Sequence, residues 1–152
     1  MFVKKMIPVA LLVAAVAGSG CNNSAKDSGL QKQADSLFDV VMKGHDVGMP
    51  KMMRIEKMQL KAAQTIDSIG KLPAAQQAAL KAYVMQLDTL LLDLRYATTA
   101  MDKWMAEMNF TDTLSDNLPE RIKYLSNEEQ KVNKMNEAIT GSLARADSLL
   151  KK

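Results

Sequence analysis

The residues best suited to chemistry in this chain are a histidine set among methionines. His45 is the only histidine of the 152 residues, and twelve methionines accompany it. Met42 and Met49 stand three residues before and four after His45, so on a helix all three share one face. Thioether sulfur and imidazole suit Cu(I), and a His/Met pair can also ligate haem. Met101 joins Met42, His45 and Met49 as a fourth candidate ligand, and Trp104 beside it offers an indole face to a cation. The alternative is that the methionines fill a core, since a Met stripe at helical spacing packs between helices.

Cys21 is the one cysteine, so no internal disulfide forms. It follows Lys4 and Lys5, an apolar run from Met6 to Ala17, and the small residues Gly18, Ser19 and Gly20. A basic start, a short apolar core and small residues describe a secretory signal peptide over residues 1–20. The run falls short of the roughly 20 residues that span a bilayer. The lone cysteine after small residues resembles a bacterial lipobox, with Gly18 departing from the usual leucine. That resemblance implies lipidation of Cys21 and an anchor in the membrane, with several acyl chains giving stable attachment. Cleavage after Ala17, with Ala15 and Ala17 forming a plain Ala-x-Ala site, is the alternative, and it would release a soluble chain with a free thiol.

Other chemistries find little support. The sequence has no Gly-rich phosphate loop and no His-Glu-x-x-His zinc motif. No usable cysteine nucleophile remains, so no enzyme is predicted. The net charge is +3, but two of the 20 basic residues, Lys4 and Lys5, lie in the leader. The other 18 face 17 acidic residues, a net of +1, with both signs interspersed, which argues against nucleic acid as partner.

Three long helices must position these residues. Leu80, Val84, Leu87, Leu91, Leu94, Thr98, Met101, Met105 and Met108 follow a four-three spacing, the signature of a helix seam. Before it, a helix from about Leu30 to Ile69 carries Phe38, Val41, Met42, His45, Met49, Met52, Ile55, Leu60, Ala63, Ile66 and Ile69. Pro50 predicts a kink or break near residues 46–50. After it, Pro119 opens a helix striped by Leu118, Ile122, Leu125, Glu129, Val132, Asn136, Ile139, Leu143, Ala146 and Leu150. Residues 22–29 are rich in Asn, Ser and Gly and read as a flexible tether. The expected fold of residues 30–152 is all-α, an elongated antiparallel up-down-up three-helix bundle with coiled-coil-like seams.

Heights estimated from the loop centres put His45, Thr98 and Glu129 in one layer. Its simplest role is structural, since a buried polar layer fixes register between similar helices. Trp104 adjoins the seam, where it either widens the core or meets a partner.

The run His45-Asp46-x-x-Met49-Pro50-Lys51-Met52, then Met101-x-x-Trp104-Met105 and Tyr124-Leu125, resembles small Bacteroidota lipoproteins of the family often called "viral A-type inclusion protein". The resemblance covers about Leu37 to Leu150. It implies a secreted, lipid-anchored helical protein of the cell envelope, facing the periplasm or the cell surface at the outer membrane. It carries over no activity. The expected partners are the membrane, through Cys21, and an envelope protein or a second copy of the chain.

Overall fold

A computed structural model describes residues 22–110 and 116–150. The leader, Cys21 and residues 111–115 of the second loop lie outside the described residues. The elements are α1 (Asn22–Gly48), a 3-10 turn η1 (Met49–Lys51), α2 (Met52–Gly70), α3 (Ala74–Glu107) and α4 (Leu118–Leu150). Helix α1, η1 and α2 form one rod that packs on α3 and α4, and α3 packs on α4. The fold is an all-α three-helix bundle. At 34 residues, α3 alone is about 50 Å long. No helix among the described residues is long and apolar enough to cross a membrane.

The first rod starts earlier than its apolar pattern suggests. Helix α1 begins at Asn22, so residues 22–29, expected as a tether, form its first turns. The segment contains no proline, and Gly29 is the only strong helix breaker in it.

At Pro50 the rod tightens without breaking. Proline lacks the N–H that an α-turn needs, and η1 absorbs that loss within one turn. The heptad phase survives. Ala34, Val41, Gly48, Ile55, Ala62 and Ile69, seven residues apart, are all buried, with η1 in the middle of the series. Leu60, Ala63 and Met49, placed on the apolar stripe by the sequence, are exposed instead.

In α3 and α4 the deepest residues are partly those of the predicted seams, such as Leu87, Leu94, Met101, Leu125, Val132 and Ile139, and partly residues beside them. Those of α3 are Leu87, Leu90, Leu94, Ala97, Met101, Trp104 and the following Met108. Leu80, Val84, Leu91, Thr98 and Met105 are half-buried next to them. In the first half of α4, Arg121, Glu128 and Met135 replace Ile122, Glu129 and Asn136 at the deepest positions. Each helix of a three-helix bundle touches two neighbours, so its apolar face is wider than a single two-helix seam.

Turns and ion pairs set the heights. Pro73 is the N-cap of α3, and its carbonyl accepts from the amides of Gln76 and Gln77. The Gln77 side chain donates to the carbonyls of Gly70 and Leu72, which closes the α2–α3 turn. At the other end, the Tyr124 hydroxyl accepts from the Asn109 amide at 2.7 Å and contacts Met108 Sδ at 3.3 Å. Arg121–Asp35 and Arg54–Asp147 tie the first rod to α4 in parallel, and Arg145–Asp93 ties α3 to α4.

Candidate functional site

The α1–η1 junction is where the bundle departs most from regular apolar packing. Gly44 and Gly48, four residues apart, share one face of α1. A Cβ on Gly44 would fall 2.1 Å from Val132 Cγ1, and one on Gly48 would fall 2.8 Å from Met101 Cε and 2.9 Å from Asn136 Oδ1. Both glycines therefore let neighbouring side chains reach the α1 backbone. The Asn136 amide uses this opening and donates to the Gly44 carbonyl at 2.7 Å, while its Oδ1 is buried with no hydrogen-bond partner among the described residues.

His45 lies on the rim of this junction, with a side chain 19% exposed. Its ring stacks on Trp104 of α3, with centroids 5.5 Å apart and planes 32° apart. Its Nδ1 is 3.1 Å from Asp46 Oδ1. An ionised carboxylate only accepts, so Nδ1 is the donor of this contact. The second neighbour of Trp104 is Phe110, edge-on at 6.1 Å. Trp104 is 4% exposed and sits on the deepest seam, so it widens the core and offers no surface to a partner. Its Nε1 has no hydrogen-bond partner among the described residues.

The expected layer of His45, Thr98 and Glu129 resolves into three separate environments. Across from His45 stands Trp104, about two helical turns from Thr98. Thr98 instead accepts from Gln59 Nε2 of α2 at 3.0 Å and donates to the Leu94 carbonyl. Glu129 is half-buried, and the buried carboxylate is its neighbour Glu128, 1% exposed. Glu128 Oε1 accepts from Lys131 Nζ at 2.7 Å, and Oε2 has no partner among the described residues. That hydrogen bond raises the Lys131 pKa, against the opposing effect of burial. A buried polar atom without a partner costs about 1–3 kcal/mol, and Asn136 Oδ1 brings that cost to the glycine junction, Trp104 Nε1 to the contact with His45, and Glu128 Oε2 to its own site on α4.

The four candidate metal ligands also differ in surroundings. Met101 is fully buried with its methyl against Gly48, Met42 and His45 are half-buried, and Met49 is exposed in η1. Among the described residues no group of three or more His, Cys, Asp or Glu side chains could hold a metal ion.

Sequence reasoning missed Arg121, Glu128 and the role of Asn136. Arg121 is buried, and its guanidinium donates to Asp35 at 2.8 Å. Hydrogen bonds from Gln31 and then Arg121 hold the Asp35 carboxyl below its usual range, against a smaller effect of burial. The signal for Asn136 was present, as a polar residue on an apolar stripe. Its partner, a glycine carbonyl, has no side-chain signature. No protein-family model, curated protein or solved structure matches the chain.

Proposed function

We propose that this chain is a lipid-anchored helical bundle of the cell envelope that acts as a structural or protein-interaction module, with no catalytic activity. The observation that carries the interaction reading is the outer face of α3. Met85, Leu92 and Tyr96 stand there 61%, 65% and 64% exposed, on a helix whose opposite face is already in the core. Single exposed apolar residues are ordinary on a protein surface, but a row of large ones on one helix face marks contact with another surface. The anchor reading is supported by the sequence around Cys21, where a short apolar run ends in small residues before a lone cysteine.

Membrane fractionation of a bacterium expressing the chain tests the proposal, beside a Cys21→Ser variant. The wild-type chain is expected in the membrane fraction, released by detergent and not by high salt. The variant is expected to keep its leader and run as a larger species. Wild-type chain in the soluble envelope extract would overturn the anchor.

A further inference from the structure

The outer face of α3 is a complete second seam. Ala78, Ala82, Met85, Thr89, Leu92, Tyr96, Thr99 and Lys103 are spaced four, three, four, three along the helix, and every one is exposed. This is the spacing of a two-helix contact, on the exposed side of α3 opposite its buried residues, where Met85 and Thr89, and Tyr96 and Thr99, also border shallow grooves shared with α4. The Thr89 hydroxyl donates back to the Met85 carbonyl, which leaves its methyl for contact at the centre of the row.

One flank of this seam carries Lys81, Asp88, Arg95 and Asp102, again seven residues apart and all exposed. None of the four forms an ion pair within the described residues. Their order of signs is plus, minus, plus, minus. In an antiparallel helix pair, residues of this flank face the same flank of the other helix.

We propose that a second copy of this chain covers the face, with the two α3 helices antiparallel. The proposal rests on the interaction reading above and names its partner. In one register Lys81 of each copy meets Asp102 of the other, and Asp88 of each meets Arg95 of the other, giving four ion pairs. The same register stacks Leu92 on Thr89 and Met85 on Tyr96 across the interface. A slide of one heptad one way sets Asp88 against Asp88 and Lys81 against Arg95. A slide the other way sets Arg95 against Arg95 and Asp88 against Asp102. A parallel pair sets Asp88 against Asp93 and Asp102 against Glu107. The charges thus select one orientation and one register, which is how flanking charges choose partners in coiled coils. On the second flank Gln86 meets Asp93 and Ala79 meets Ala100, with no like charges opposed.

Charge exchange tests this without touching the core. Sedimentation velocity of the full chain in a non-ionic detergent, from about 1 to 100 μM, reads the association. Circular dichroism checks the fold of each variant. The wild-type chain is expected to dimerise across this range. Asp88→Arg and Arg95→Asp are each expected to weaken the dimer about tenfold, because symmetry makes each change turn two attractive pairs repulsive. The double variant restores opposite charges and is expected to dimerise within about twofold of wild type. A wild-type chain that stays monomeric throughout overturns the proposal and leaves the face to a different protein. So does a double variant no better than either single one. Sedimentation reads only self-association, so its failure leaves the membrane anchor to be judged by fractionation.

Discussion

Gly44→Ala should destabilise this protein, although alanine is the better helix former. Gly44 lies within α1, where the exchange alone favours folding by about 1 kcal/mol. Against that, the new methyl would sit 2.1 Å from Val132 Cγ1, far inside contact distance. Valine in a helix has one strongly preferred rotamer, so Val132 cannot swing aside, and the helices must separate. Overpacking of this kind costs about 1–3 kcal/mol. Separation also lengthens the 2.7 Å hydrogen bond from Asn136 to the Gly44 carbonyl, adding about 1 kcal/mol. The net is a loss of about 1–3 kcal/mol, or roughly 3–10 °C in Tm for a chain of this size. Gly141 in α4 supplies the control, because a Cβ there meets nothing within 4 Å. Gly141→Ala should stabilise by about 0.5–1 kcal/mol. Urea denaturation followed at 222 nm measures both. A double-mutant cycle with Val132→Ala should show a favourable coupling of about 1–2 kcal/mol, since the smaller residue makes room for the methyl. A Gly44→Ala variant as stable as Gly141→Ala would refute the close approach of α4.

Further outcomes follow from the same contacts. Asn136→Ala should lose about 1–2 kcal/mol in the same denaturation assay, as the Gly44 carbonyl loses its donor. Glu128→Met should leave stability unchanged or raise it by about 1 kcal/mol, because a buried carboxylate with one satisfied oxygen gains little from its charge. The Asp35 carboxyl has a lowered pKa when folded, so its stabilising effect is full above the unfolded carboxylate value and is lost as pH falls through the folded one. Thermal melts should therefore show wild type losing its advantage over Asp35→Asn below about pH 4, and Arg121→Met should shrink that difference. In a Cu(I) competition titration under reducing conditions, the full chain and a His45→Ala variant should behave alike. Stoichiometric tight binding lost in the variant would instead make Met42, His45, Met49 and Met101 a metal site.

Much of the fold was legible because it rests on periodicity. The four-three spacing from Leu80 to Met108 and from Leu118 to Leu150 matches α3 and α4, and the all-α bundle follows from it. Pro50 marked the junction that became η1. The site was less legible for two physical reasons. A seam read as a single stripe omits the second neighbour that each helix has in a three-helix bundle. That omission exchanged Glu128 for Glu129 and kept Trp104 at the edge of the core rather than within it. Heights estimated from loop centres also treat helices as straight and evenly spaced. Side chains as long as Trp104 and Gln59 reach over a turn or more, so His45 meets Trp104 while Thr98 meets Gln59. Gly44 and Gly48 carry no side chain to signal a role, and their meaning appears only with Val132, Met101 and Asn136 placed against them.

The account's central claim is that a lipid-anchored bundle meets its partners at the envelope, and the mature N-terminus tests the anchor most directly. Intact-mass and N-terminal peptide mass spectrometry should be run on chain extracted from bacterial membranes with detergent. The account predicts loss of residues 1–20 and a first residue Cys21 that carries a thioether-linked diacylglycerol and an amide-linked acyl chain. A mature chain beginning after Ala17, with Cys21 as an unmodified thiol, would contradict it.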